Sequence, residues 1–167
     1  MDAKIHRLLQ STHDIFQASM YLQEWVPDGP VELRRAIMTA AIISYCRPFT
    51  GNRGATDARR LAISDFLDAS VDDELRLLYL HDRLMQFRDT VVAHSDLHAQ
   101  PITLGTRTET GFNYQQLRID VLGPAINIIE FRRLCSLVNS RATEEMHRLA
   151  RETLPSQAAP VQQTGPE

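Results

Sequence analysis

The stretch VDDELRLLYLHDRLMQFRDTVVAH, residues 71–94, decides the fold class of this chain. Its leucine, phenylalanine and valine side chains recur every three or four residues, which places them on one face of an α-helix. The members of this face are Leu77, Leu80, Leu84, Phe87 and Val91. Three acidic residues at positions 72–74 lie where the partial positive charge of a helix N-terminus stabilises them. The sequence therefore predicts a long amphipathic helix that begins near residue 71.

Similar periodicity on both sides predicts three more long helices, over residues 3–25, 30–46 and 125–152, and a short one over 57–67. Two prolines and a glycine separate the first two helices, and Pro48 ends the second. In the first helix the residues predicted to face inward are Ile5, Leu8, Leu9, Ile15, Phe16 and Met20. In the second they are Leu33, Ile37, Ala40 and Ser44, with Met38, Ile42 and Tyr45 beside them. In the last they are Ile128, Phe131, Leu134, Val138, Met146 and Leu149. We expect an all-α fold, an up-and-down bundle of four to five helices.

Residues 101–122 depart from the helical pattern. Apolar and polar residues alternate there on both sides of a turn at residues 109–111, which predicts an inserted β-hairpin. The alternation slips near Gln115 and Gln116, where we expect a β-bulge. We therefore expect a single domain over residues 1–153. Residues 154–167 are rich in proline, glutamine and alanine and are predicted to form a disordered tail.

The composition is typical of one ordinary soluble domain. Eighteen basic against 21 acidic side chains give a net charge of −3, which excludes a general basic surface for nucleic acid. Any RNA site must therefore be local, and DNA is not an expected partner. Two cysteines are too few for a disulfide framework, and no signal peptide or apolar stretch of about 20 residues is present. We expect a cytoplasmic protein without contact to a membrane.

Arginine accounts for 17 of the 18 basic residues, and Lys4 is the only lysine. Two interpretations of this bias stay open. One is the codon usage of a GC-rich genome. The other is bidentate recognition of phosphate or carboxylate groups, which the planar guanidinium performs better than an ammonium group does.

Polar side chains concentrate at the end of the helix quoted above. They are His81, Arg88, Asp89, His94, Ser95, Asp96 and His98. His94 follows Val91 by three residues, so it continues the apolar face rather than the solvated one. One interpretation is a histidine that caps the helix C-terminus, where a positive charge complements the helix dipole. The other is a reactive group that works with Arg88.

The segment from Arg88 to His94 resembles the signature of the HEPN domains, the higher eukaryotes and prokaryotes nucleotide-binding domains, in which an arginine precedes a histidine by a few residues. The string of Tyr45, Arg47-Pro48-Phe49 and Asn52, followed by a segment like residues 81–96, is similar to one bacterial, abortive-infection-like branch of this family. The resemblance covers residues 1–98 and 125–150. It implies a bundle of four to five helices that acts as a metal-independent endoribonuclease, without a cofactor, in the manner of toxin or phage-defence proteins. It also implies a homodimer in which the two motifs face each other.

Carried over to this chain, the resemblance makes Arg88 the residue that holds the scissile phosphate and His94 the general acid or base. Asp89 would orient one of the two. Substrate binding would fall to Arg47, Asn52, Tyr45, His81 and Asp96. The chemistry agrees, because cleavage through the 2′-hydroxyl needs proton transfer near neutral pH and a cation to stabilise the charge on phosphorus. The implied partners are RNA or a nucleotide, a second copy of the chain and an antitoxin protein.

Other interpretations stand beside this one. Asp96 occupies the place where some toxin members carry a tyrosine that a partner enzyme modifies, so that mode of control is not expected here. The acidic side chains of Asp89 and Asp96 also fit a non-catalytic dimeric module that binds nucleotide, RNA or a protein. His94, Asp96 and His98 could hold a divalent metal if their segment is extended. Arg47 could simply cap the second helix, and Tyr45 could simply pack in the core.

A dimer is also suggested by helix geometry. Six residues of an α-helix amount to about 600° of rotation, so Arg88 and His94 on one straight helix point about 120° apart. A local end of the helix after Ala93 would resolve this divergence, and so would a second protomer that offers its own pair across a two-fold axis. The same helix carries a second apolar side, formed by Leu75, Leu78, Met85 and Val92. This side fits either a contact between two copies or packing on other helices of the same chain.

Overall fold

Four helices make up most of the computed structural model, which describes residues 3–50, 60–92, 102–108, 111–116 and 126–153. They are α1 (Ala3–Gln23), α2 (Val31–Cys46), α3 (Asp72–Val92) and α4 (Ile128–Thr153). The predicted helical bundle is therefore confirmed for this part of the chain. Helix α1 packs against α2 and α4, and α3 packs against α2 and α4 from the other side.

Contacts between helix ends show that α1 is antiparallel to both of its neighbours. Lys4 at the start of α1 forms an ion pair of 2.9 Å with Glu145 near the end of α4. Arg132 near the start of α4 donates hydrogen bonds to the carbonyl of Leu22 at the end of α1. The end of α2 returns to the start of α1, where Arg7 donates to the carbonyl of Pro48 over 2.8 Å.

The helices begin and end where local chemistry satisfies their free backbone groups. Pro30 precedes the first turn of α2, and Glu32 is the acidic residue in that turn. The predicted acidic start of α3 is confirmed, since residues 72–74 form its first turn. Before α4, the Oδ1 of Asn127 accepts hydrogen bonds from the backbone N–H groups of Ile129 and Glu130 at 2.9 and 3.4 Å. Asn127 is thus the N-cap of α4.

The core differs from the prediction in α1. Leu8 and Ile15 are buried as predicted, but Leu9, Phe16 and Met20 are 49%, 53% and 42% exposed. The buried face instead includes the small residues Ser11 and Ala18, together with Leu22. Small side chains allow α1 to lie close to two neighbouring helices at once. A prediction from hydrophobic periodicity selects large apolar side chains, so it passes over these small residues. The Ser11 hydroxyl is satisfied, because it donates to the carbonyl of Arg7 over 2.8 Å.

Helix α2 is rotated relative to the prediction. Leu33 is 53% exposed, and Ile37 and Ala40 are only half-buried. Ser44 is buried as predicted, and the residues expected beside the inward face, Met38, Ile42 and Tyr45, are buried as well. Helix α2 is enclosed by α1 and α3 and therefore buries two sides. Its buried residues are Met38, Ala41, Ile42, Ser44, Tyr45 and Cys46. In α4 Phe131, Leu134 and Val138 are fully buried as predicted, and the other three predicted residues, Ile128, Met146 and Leu149, are half-buried against the core.

The predicted short helix over residues 57–67 is wrong over its described part. Residues 60–62 belong to no helix, Ala62 is extended, and Ile63–Asp65 form a single 3-10 turn. The segment is held in place by a side chain of α4, because the Arg141 guanidinium donates a hydrogen bond to the carbonyl of Phe66. The same guanidinium donates two hydrogen bonds of 2.7 Å to the Glu74 carboxylate. Phe66 and Leu67 are buried in the core. Residues 57–59 lie outside the described part.

Two strands, β1 (Ile102–Thr108) and β2 (Gly111–Gln116), pair antiparallel. The register irregularity lies between Leu104 and Arg107 of β1, and Gln115 and Gln116 pair regularly with Thr103 and Ile102. The bulge was thus predicted on the wrong strand. It coincides with Gly105, and glycine within a strand favours such an irregularity. The predicted tail, residues 154–167, lies outside the described residues.

Candidate functional site

The end of α2 is fixed by hydrogen bonds from two directions. Residues Arg47–Phe49 follow α2 as a 3-10 turn. The Pro48 carbonyl accepts a hydrogen bond from the Arg7 guanidinium and one of 3.1 Å from the backbone N–H of Leu61. Pro48 and Phe49 are buried, whereas Arg47 is exposed. The turn therefore presents the Arg47 side chain at the surface on a rigid base.

Beneath this turn lies a buried cluster of four rings. A hydrogen bond of 2.9 Å joins the Tyr45 hydroxyl to Nδ1 of His81 on α3. The His81 ring stands edge-on to Phe49 at a centroid distance of 4.7 Å, and Tyr45 packs edge-on against Phe131 of α4 at 5.4 Å. This cluster joins α2, α3 and α4 at one point.

Burial sets the ionisation of this cluster. Burial lowers the pKa of the His81 imidazole below its ordinary value, and burial likewise raises the pKa of the Tyr45 hydroxyl. Both side chains are therefore neutral at neutral pH. Because they are buried core residues, Tyr45 and His81 affect a substrate only through the residues that they hold in place.

Arg88 lies seven residues after His81, almost two turns further along the same face of α3. Its Nη1 donates to the Asp89 carboxylate over 2.7 Å, and its side chain is 36% exposed. The charges of Arg88 and Asp89 act in opposite directions on the Cys46 thiol at the end of α2. Burial raises the pKa of this thiol to about 12, and the positive charge of Arg88 opposes the rise. Asp89 thus orients the Arg88 guanidinium at the surface of α3.

The structure places five of the predicted site residues on α2 and α3 in separate contacts: Tyr45 bonds to His81, Arg88 pairs with Asp89, and Arg47 pairs with Asp14 of α1. Tyr45 and Arg47 come from the end of α2, and His81, Arg88 and Asp89 from α3. The expected catalytic residue His94 and the expected binding residues Asn52 and Asp96 lie outside the described residues. The same holds for His98, the third member of the alternative metal site.

Sequence reasoning missed the contribution of α1. Arg7, Gln10, His13 and Asp14 of this helix, with Leu9, line an open cleft of about 490 Å³ whose far wall is Arg47. The Asp14 carboxylate accepts from the Arg47 guanidinium at 3.3 Å. The sequence did hold a signal, because residues 7, 10 and 14 recur at helical spacing as a polar stripe. We call this cleft the α1–α2 cleft.

Within the described part of the chain, no group of three or more histidine, cysteine, aspartate and glutamate side chains is placed to hold a metal ion. None of the helices described there is long and apolar enough to cross a membrane. Cys46 and Cys135 are both buried as free thiols. When the chain is compared with protein-family models, with curated proteins and with solved structures, nothing matches it.

Proposed function

We propose that this chain is a HEPN-like, metal-independent endoribonuclease of the toxin or phage-defence type, which acts in the cytoplasm as a homodimer. The observation that carries the proposal is the placement of Arg88. Its partly exposed guanidinium lies in the last two turns of α3, and the neighbouring Asp89 holds it at 2.7 Å. A fixed guanidinium at the surface suits a phosphodiester, because it can donate two parallel hydrogen bonds to phosphate oxygens.

In the proposed reaction, His94 takes the proton of the RNA 2′-hydroxyl, and the 2′-oxygen attacks the adjacent phosphorus. The bond from phosphorus to the 5′-oxygen breaks, and this oxygen receives a proton from a histidine acting as general acid. The products are a 2′,3′-cyclic phosphate and a 5′-hydroxyl. Arg88 stabilises the additional negative charge on the phosphate oxygens in the transition state. Neither a metal nor a cofactor takes part.

The proposed homodimer is the one that the resemblance to the HEPN family implies, in which the two copies of Arg88 and His94 face each other. Helix α3 is described as far as Val92, so this pairing is a proposal from the motif. The second apolar side of α3 lends no further support, since Leu78 and Met85 pack against the core of their own chain. Analytical ultracentrifugation should give about twice the chain mass of 19.0 kDa. A single species of one chain mass at tens of micromolar would contradict the shared cleft.

A non-catalytic dimeric module that binds nucleotide, RNA or a protein such as an antitoxin is the second candidate. It is favoured by the Asp89 carboxylate, which already occupies the guanidinium of Arg88 and competes with a phosphate for it. The two candidates differ in one measurement, namely whether the pure protein cleaves RNA.

The test is cleavage of a labelled RNA by the full chain in excess chelator. We expect cleavage by the wild type, its loss in His94→Ala, and a loss of at least tenfold in Arg88→Lys, because an ammonium cannot reproduce the bidentate contact. Arg83→Lys is the matched control, since Arg83 is an exposed arginine of the same helix. Cleavage that chelator abolishes, or that His94→Ala retains, would overturn the proposal. RNA binding without cleavage would establish the second candidate.

A further inference from the structure

The α1–α2 cleft has the charge of an anion site. Two arginine side chains, Arg7 and Arg47, line it against one carboxylate, that of Asp14, and His13 and Gln10 add polar groups that can donate hydrogen bonds. Its volume of about 490 Å³ lies within the range of small-ligand sites. This local excess of positive charge stands out in a chain whose net charge is −3.

Arg7 is held in the wall of the cleft with donors to spare. One of its five N–H groups bonds to the Pro48 carbonyl over 2.8 Å, which fixes the guanidinium. This bond also offsets the partial negative charge that free carbonyl groups give to the end of α2. Its buried Nε has no acceptor among the described residues. The buried Nε is closed to a ligand, so an anion in the cleft would bond to the other N–H groups of this guanidinium.

Arg47 is the exposed cation of the cleft. It directly follows Cys46 at the end of α2, and its guanidinium faces Asp14 across the cleft. The Arg47 side chain is 55% exposed, so it can exchange the carboxylate for another anion.

We propose that the α1–α2 cleft binds a backbone phosphate of single-stranded RNA, away from the phosphate that is cleaved, through Arg7, His13 and Arg47. The inference rests on the proposed function, because it takes RNA as the ligand. Asp14 then limits the affinity of the site, since its carboxylate competes with the phosphate for Arg47.

The experiment measures binding without cleavage. The probe is a fluorescent 2′-O-methyl oligonucleotide of 12 residues, which lacks the free 2′-hydroxyl that cleavage needs, and the readout is fluorescence anisotropy. We expect Arg47→Ala to weaken binding about tenfold and to lower the slope of log affinity against log salt by about 0.7. We expect His13→Ala to weaken binding severalfold and Asp14→Asn to strengthen it about threefold.

The chain offers a matched control pair. Arg133 and Asp73 form an ion pair of 3.1 Å away from the cleft, and the Arg133 side chain is 55% exposed, as that of Arg47 is. Arg133→Ala and Asp73→Asn change the net charge equally and should leave the affinity within about twofold of wild type. His147→Ala on α4 is the corresponding control for His13. Arg7 is left unchanged because its bond to Pro48 makes it part of the fold.

Each outcome decides the inference. Equal losses in Arg47→Ala and Arg133→Ala, no gain in Asp14→Asn, or no binding of the oligonucleotide by the wild type would overturn it. The proposed function is tested separately by cleavage. Binding with the expected pattern but without cleavage would support the phosphate site in the cleft and contradict the proposed ribonuclease activity. Cleavage with unaltered binding in the Arg47 and His13 variants would support the ribonuclease activity and contradict the phosphate site.

Discussion

At the scale of single residues, Tyr45 and His81 form a hydrogen bond inside the bundle with neither side chain open to solvent. Tyr45→Phe removes the hydroxyl and leaves Nδ1 of a buried imidazole without this partner. We expect the free energy of unfolding to fall by about 1–3 kcal/mol, the usual cost of a buried polar group that has lost its hydrogen bond.

Urea unfolding followed by circular dichroism measures this loss. Tyr79→Phe is the matched control, because Tyr79 lies on the same helix as His81 and is 64% exposed. The control should change stability by less than about 0.5 kcal/mol. If both variants lose the same amount, the Tyr45 hydroxyl contributes nothing specific to the core.

The lowered pKa of His81 makes stability depend on pH in a defined direction. Burial disfavours the imidazolium in the folded protein, so the folded chain stays neutral at His81 while the unfolded chain binds a proton at its ordinary pKa of 6.5. Stability from this residue is therefore complete above that value. It is lost as the pH falls below 6.5 towards the lower pKa of the folded state.

His81→Gln isolates this dependence, because the other titrating groups contribute equally to wild type and variant. We expect the stability advantage of the wild type to be largest at pH 7.5 and to shrink as the pH is lowered to 5, as measured by urea unfolding at each pH. An advantage that grows towards pH 5 would mean that the folded state prefers the charged imidazole.

At the scale of the helix, α1 shows what hydrophobic periodicity can and cannot predict. The existence of the helix and its bounds were correct to within two residues at its end, but three of its six predicted inward residues are exposed. Two apolar stripes lie side by side on this helix, at Leu8 and Ile15 and at Leu9 and Phe16. Only the position of the partners decides which stripe is buried, and a local sequence pattern holds no information about partners.

Substitution at Ala18 distinguishes the close helix contact from the exposed stripe. Ala18 is fully buried in α1, whereas Phe16 is 53% exposed. We expect Ala18→Leu to destabilise the protein by about 1–3 kcal/mol, because added methylene groups cannot fit between closely packed helices. Phe16→Leu should change stability by less than about 0.5 kcal/mol. Thermal unfolding compares the two, and a tolerated Ala18→Leu would show that α1 stands further from its neighbours.

At the scale of the whole molecule, the sequence predicted candidate site residues on α2 and α3 but none on α1. Arg47 precedes a proline and Arg88 precedes an acidic residue, so each can be singled out from its own segment of sequence. Arg7 and Asp14 join them only because α1 and α2 are antiparallel, and the contact between Asp14 and Arg47 spans 33 residues. Contacts over such distances depend on packing, so a motif search along the chain passes over them.

The two free thiols belong to different helices, Cys46 to α2 and Cys135 to α4, and burial raises the pKa of each to about 12. At neutral pH the folded chain therefore offers a thiol reagent almost no thiolate and no access. We expect both cysteines to react with Ellman's reagent slowly and together, at a rate that reaches a plateau as reagent is increased, and at once in concentrated urea. One fast thiol would show that its helix opens alone. The plateau rate is the rate at which the bundle itself opens. The reaction of these two native thiols therefore measures the opening of the core without any added label.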